Sequence, residues 1–406
     1  MKRISTMRIA AMMAPVLLAT LSVSAQSTAV KPANSTKPAA VQPWKKIVIP
    51  PLHAFKPAQP RRIELANGLV IFLQEDHELP FINGSILIRG GSRDEPAAKA
   101  GLVTMYGQTW RTSGTATENG DQLDDQMEAK AAQIETNGSI ASTSVRWSSL
   151  KGDFDTVFAA TVDVLLHPTF RADKLQLARR QMETAISRRN DDPGDISIRE
   201  AIKLAYGADN PYARQPEYAT VDAVTLEDLK AWHDRTVVPN NMIVAVSGDF
   251  DGASMEATLR KAFEPLARGE ELKTAAIHFT DPKPGIHFAE KADVNQSNVL
   301  IVGLGTERSN PDYYALSVMN EVFSGGFGSR VVQNVRTKLG LAYEVGGAFG
   351  ASYDHPGLFY VQAATKSATT LAATQALEAE IARLKTEPPT ASELSKAKDQ
   401  VLNSFI

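Results

Sequence analysis

The chain has 406 residues, a formal net charge of −3, 43% hydrophobic and 22% charged residues, and no cysteine. That length exceeds a single ordinary core, so two domains are expected, and the small net charge provides no basic field for nucleic acid or an anionic membrane. The lack of cysteine excludes disulfides, thiolate catalysis, iron–sulfur clusters, cysteine-ligated zinc and a lipoprotein anchor.

At the start, Lys2, Arg3 and Arg8 precede an apolar run from Ile9 to about Val23, and Val23-Ser24-Ala25 forms a small-residue exit. This is the pattern of a signal peptide over residues 1–25, cleaved after Ala25. The run is shorter than the roughly 20 residues that span a bilayer, so no membrane anchor is expected after cleavage. The expected location is the periplasm or the exterior. Residues 26–60, rich in Ala, Pro, Ser, Thr and Lys, read as a flexible leader.

A first domain is expected over residues 61–268. Asn67-Gly68 marks a hairpin between two short strands, and "FINGSILIRG" is a third. Helical patterns follow at Ala98–Arg111, Asp121–Glu135, Phe154–Leu166 and Ala172–Arg189, with strand-like "SIASTSVRW" between the second and third. Thr225, with Asp228 three residues on, opens a further helix by a capping box. "NMIVAVSGDF" is a buried strand and "SMEATLRKAF" a helix. After a linker at residues 269–284 the grammar restarts in a second domain, 285–406. "ILIRGGSRDEPAAKAGLVTMYGQTWRTSG" and "VLIVGLGTERSNPDYYALSVMNEVFSGG" share the order strand, glycine, charged loop with proline, apolar helix, small-residue exit. This implies an internal duplication of one α+β domain. The last helix, capped by Thr390 with Glu393, runs to the final residues without a stop signal, so the second copy is expected to lack its C-terminal part.

The segments "NGLVIFLQEDHELP", "GSRDEPAAKAGL", "LLHPTF", "NPYARQPEYATVDAVTLEDLKAWHDRTVVPNNMIVAVSGDF" and "RTKLGLAYEVGGAFG" with "DHPGLFYVQAAT" together resemble the pitrilysin/insulinase family of metallopeptidases, which includes the mitochondrial processing peptidase. The resemblance implies an α+β fold of two duplicated metallopeptidase-like sandwich domains around a peptide-sized chamber. Active members carry His-x-x-Glu-His on the helix after "AGL", two zinc-binding histidines flanking a general base. Here the histidine positions fall on Thr104 and Gln108, the base on Gly107, and the third ligand, a glutamate of a later helix, on about Ala185; Glu183 is close in sequence but on another helical face. None of these supplies a zinc ligand or a base. The seven histidines (His53, His77, His167, His233, His278, His287, His355) contain no i, i+4 pair. His77 reads as a solvated turn residue and His233 as a packing residue. Leu102, Val103, Tyr106 and Trp110 remain as the core face of the helix.

The family also uses an arginine and a tyrosine seven residues later, from its second domain, close to the zinc. They match Arg336 and Tyr343, and a guanidinium and a phenol are suitable donors to a developing oxyanion. Their bland reading is a surface arginine at a helix end and a tyrosine that begins a strand. "SGGFGSR", with Gly325, Gly326 and Gly328, lacks the strand and lysine of a P-loop; it matches a substrate-handling loop of the zinc-less processing-peptidase subunit, or is a tight inter-helix turn. The implied function is that of an exported, non-catalytic subunit with no metal of its own. It would complete the peptide-cleaving chamber of a homologous zinc-bearing partner and act on peptide substrates, without nucleic acid. A purely structural or peptide-binding scaffold is the alternative.

Overall fold

The structure, a computed structural model, describes residues 47–48, 58–273 and 277–404. The expected signal peptide, most of the leader and His53 lie outside the described residues.

The first half contains β1 (Arg61–Glu64), β2 (Val70–Glu75), β3 (Phe81–Arg89), α1 (Leu102–Thr112), α2 (Gly120–Glu128), β4 (Gln133–Gly138), β5 (Ser142–Leu150), α3 (Phe154–Leu166), α4 (Ala172–Arg188), α5 (Pro193–Tyr206), α6 (Tyr218–Asp222), α7 (Leu226–Thr236), β6 (Met242–Gly248) and α8 (Gly252–Phe263). Its strands form one sheet in the order β1-β2-β6-β3-β5-β4. The β1–β2 hairpin turns at Asn67-Gly68, where Gly68 has a φ of +90°, open to glycine at little cost. Alternation directs Ile71, Leu73, Ile82, Ile86, Ile88, Val145, Trp147, Val244 and Val246 to the buried face. Gly84 is required there, because a β-carbon at that position would fall inside the Trp147 indole.

Two sequence expectations are corrected. The helix expected to reach Glu135 ends at Glu128, and Gln133–Glu135 open strand β4 instead. Ala131 takes a φ of 48°, which no helix continues through. "SIASTSVRW" is therefore the turn and second arm of a β4–β5 hairpin, in which Ile134 pairs with Trp147. "KAAQIE" has helix-forming composition, and cross-strand pairing overrides it. Helix α5 was not expected; Asp192 caps it through the amides of Gly194 and Asp195, with Pro193 at its first position.

The second half contains β7 (Gln296–Leu304), β8 (Thr306–Glu307), α9 (Tyr313–Ser324), a π-helical stretch Val332–Lys338, β9 (Ala342–Ser352), β10 (Pro356–Lys366), α10 (Thr370–Thr386) and α11 (Ala391–Asn403). The sheet order is β7-β10-β9-β8. The antiparallel trio β7-β10-β9 repeats β3-β5-β4, α9 packs on β9 as α1 packs on β4, and α9 meets α11 as α1 meets α4. The duplication is thus a repeat of topology and of packing. Both expected capping boxes, Thr225/Asp228 and Thr390/Glu393, are formed.

The halves touch where α5 packs on β7 and at the β9–β10 hairpin tip. There Arg93 pairs with Asp354, the Tyr212 ring stacks on His355 at 3.8 Å between centroids, and the Tyr206 hydroxyl donates to the Pro356 carbonyl at 3.0 Å. No helix among the described residues is long and apolar enough to cross a membrane.

Beneath α1, the Tyr106 hydroxyl shares a hydrogen bond with Nδ1 of His233 on α7, at 2.9 Å, with Trp110 and Phe170 packed around the imidazole. Burial, with a smaller contribution from His167, pushes the His233 imidazole down to about 4. An unfolded histidine titrates near 6.5, so below that pH the unfolded chain takes up a proton that the folded chain refuses, and stability falls with pH down to about 4. We expect this group to make the fold roughly 2 kcal/mol less stable at pH 5 than at pH 7. Urea unfolding of wild type and His233→Asn at both pH values checks this: the variant should be weaker at pH 7 but lose that much less on acidification.

Candidate functional site

Helix α1 is fixed from its first turn. Glu95, 6% exposed, accepts hydrogen bonds from the amides of Gly101 (2.8 Å) and Val103 (2.9 Å), which would otherwise lack partners at the helix start. Burial raises the Glu95 carboxyl, against the lowering effect of those two amides and of the Arg214 charge. Gly101 takes a φ of +106°, and a β-carbon there would lie 2.7 Å from the Met182 sulfur of α4. The Thr220 hydroxyl donates to the Ala100 carbonyl at 2.8 Å. The "AGL" segment is therefore a junction of loop, α1, α4 and α6, and its glycine is demanded by both backbone and space.

On this helix Leu102, Val103, Tyr106 and Trp110 are buried. Thr104 and Gln108, one turn apart, share the opposite face; Thr104 is half-buried and Gln108 exposed. Neither side chain hydrogen-bonds to protein among the described residues. Ala185 is exposed on α4, and Glu183 half-buried. Gly107 faces β4 at closest approach. A β-carbon there would lie 2.7 Å from the Asn137 carbonyl carbon and nearer still to the Gly138 amide, and one at Gly138 would press on the Val103 carbonyl. The Thr136 hydroxyl stitches the seam, donating to the Gly107 carbonyl at 2.7 Å and accepting from the Arg111 amide at 3.2 Å.

A zinc ion does not fit these residues. The positions that the resemblance matches to the three ligands carry a hydroxyl, a carboxamide and a methyl group, and the strand backbone occupies the space a side chain at Gly107 would need. From sequence, Gly107 stands at the position matched to the base and is a mid-helix glycine costing about 1 kcal/mol; the structure shows that a close helix–strand approach requires it. The described histidines are placed elsewhere: His77 is exposed and 2.6 Å from Asp249, His167 contacts Asp163, His355 stacks on Tyr212, His278 and His287 are exposed, and His233 is buried under α1.

In the second half the structure brings Arg336 and Tyr343 together. Arg336 lies in the last turn of the π-helical stretch and Tyr343 is the second residue of β9, and the guanidinium carbon lies 5.1 Å from the tyrosine ring centroid. Tyr343 is 85% exposed. The sequence reading missed a third member, Phe327, whose ring centroid is 5.0 Å from the same guanidinium carbon. Its signal was an apolar residue isolated among the glycines of "SGGFGSR". That loop is a tight turn between helices. The Gly325 amide donates to the carbonyls of Asn320 and Glu321, the Gly326 amide to that of Ser324, and Gly326 has a φ of +82°. With those amides used internally, Gly325 and Gly326 cannot cradle a phosphate; Gly328 has open space around it. Arg330 anchors the loop, bonding Glu393 through Nε (2.8 Å) and Nη2 (3.1 Å), and holds that carboxyl at about 2.

Two family profiles match: insulinase (peptidase family M16) over residues 70–216, and the peptidase M16 inactive domain over residues 223–401. An uncharacterised zinc protease of Mycobacterium leprae is 28% identical over 293 residues, 70% of this chain and 64% of its own length. One from Rickettsia felis is 22% identical over 349 residues, 84% and 82% of the two chains. A peptidase M16 inactive domain from Pseudomonas fluorescens superposes with a TM-score of 0.78 at 25% identity, covering 86% of this chain and 84% of that one. The chain belongs to the insulinase family, peptidase family M16.

Helix propensity alone predicts that Gly107→Ala stabilises the protein by about 1 kcal/mol. The α1–β4 seam predicts the opposite sign, a net loss of roughly 1–3 kcal/mol from overpacking against backbone. Denaturant unfolding of the variant decides between them, and a gain in stability would exclude the seam as the reason for the glycine.

Proposed function

We propose that this chain is an exported, zinc-less subunit that completes the peptide-cleaving chamber of a homologous, zinc-bearing M16 partner. The observation that carries this reading is the contrast between two faces. On α1, Thr104, Gly107 and Gln108 offer no ligand or base, and β4 fills the base's space. In the second half, Arg336 and Tyr343 stand together, and neither side chain donates a hydrogen bond among the described residues. In this reading the partner's own residues would hold the metal, which would supply a water activated for attack on the peptide bond. Tyr343 donates its hydroxyl proton in a hydrogen bond to the carbonyl oxygen as negative charge grows on it, with Arg336 adding positive charge beside it. No metal is required on this chain.

Reconstitution with a zinc-bearing homologue tests the reading. Tyr343→Phe keeps the ring and removes one donor, so assembly by light scattering should be unchanged while kcat falls by roughly 10²-fold. Full turnover of the assembled Tyr343→Phe and Arg336→Ala complexes would leave a scaffold role instead. The chain alone should hydrolyse no peptide.

Export is tested separately. Intact mass of the chain recovered from outside the cytoplasm should correspond to a start at Gln26, and material retaining Met1–Ala25 would refute the cleavage site.

A further inference from the structure

Arg336 differs from its neighbours in how its charge is met. Arg330, two residues before that helical stretch, spends its guanidinium on Glu393 and on the carbonyls of Glu387 and Pro388. Arg383 pairs with Glu380 and Glu387. Arg336 has no carboxylate or carbonyl acceptor among the described residues, although it is half-buried. What it has is two aromatic faces, Phe327 at 5.0 Å and Tyr343 at 5.1 Å, and these rings are themselves 73% and 85% exposed.

A ring face attracts the cation without supplying an oxygen acceptor, and no Arg336 side-chain N–H donates to an oxygen among the described residues. The contact also limits the side chain's rotamers, so that less freedom is lost when a ligand binds. The ligand that best matches a planar fork of free N–H donors is a carboxylate, which accepts two parallel charge-assisted hydrogen bonds. Glu344, the next residue after Tyr343, is exposed, and a β-bulge at Tyr343 interrupts the strand alternation there; no salt bridge joins Glu344 to Arg336 among the described residues. Lys338, exposed two residues beyond Arg336, adds a like charge.

We propose that Arg336, positioned by Phe327 and Tyr343, binds a carboxylate of the peptide, so that this face selects acidic peptide segments. The carboxylate is an aspartate or glutamate side chain or the free C-terminus. The inference rests on the reading of Arg336 and Tyr343 as peptide-facing, and it adds a ground-state binding role for the arginine that needs no partner chain. Phe327 is a positioning residue that acts through Arg336.

The test uses the full chain alone and four fluorescein-labelled decapeptides of one uncharged background. Each carries a central Glu or Gln and ends as a free acid or an amide, and anisotropy gives Kd. Peptides bearing a carboxylate should bind about tenfold tighter than the Gln amide, and the Glu and free-acid arms separate the two sources. Arg336→Gln should abolish the preference, and Phe327→Ala should reduce it several-fold while Phe327→Tyr retains it. Arg336→Lys keeps the charge but not the planar fork and should show an intermediate preference; circular dichroism confirms that each variant is folded. Equal binding of all four peptides by wild type, binding of none, or an undiminished preference in folded Arg336→Gln overturns the proposal. Those results leave the kcat effect of Tyr343→Phe in the reconstituted complex untouched, so the two readings fail separately.

Discussion

The α1–β4 seam is the constraint from which the rest of the first half follows. A helix can approach a strand this closely only if neither side carries a β-carbon at the point of contact, and Gly107 and Gly138 meet that condition together. With the backbones so near, the Thr136 hydroxyl reaches the Gly107 carbonyl, Val103 lies over Gly138, and Tyr106 and Trp110 are turned into the core around His233. The same contact commits the helix to packing. The turn that would carry a reactive group is covered by backbone, and the turns that remain open carry Thr104 and Gln108.

Much of this was legible in the sequence. Apolar spacing and caps located α3, α4, α7 and α11, and Asn67-Gly68 located the first hairpin, because those signals are local. The repeated order of strand, loop and helix revealed the duplication, which reappears as the matched trios β3-β5-β4 and β7-β10-β9. The β4–β5 hairpin was hidden because "KAAQIE" has helical composition and its pairing partner lies beyond the turn. Gly107 was misjudged for a related reason, since its purpose lies in a strand thirty residues away. Phe327 escaped because its approach to Arg336 depends on a fold-back of the chain that no spacing rule records.

The two halves manage charge differently. In the first, acids and bases are largely consumed in holding elements in place, as Glu95 is on α1 and Arg93 is on Asp354. In the second, Arg330 and Arg383 are consumed in the same way, whereas Arg336 is supported by rings that leave its polar edge unspent. A charge held by apolar faces is ready for an outside molecule in a way that a salt-bridged one is not, because no internal bond must break first.

The placement of Ala185 has an evolutionary consequence. The positions where a metal site would be assembled are divided between α1 and α4, about eighty residues apart in the chain, and each now has a non-coordinating side chain or none. A single histidine or glutamate at any one of them would gain no ion to offset its cost, and at Gly107 it would also force two backbones apart. A metal site on this scaffold would therefore demand several simultaneous substitutions on two helices, none of which helps by itself.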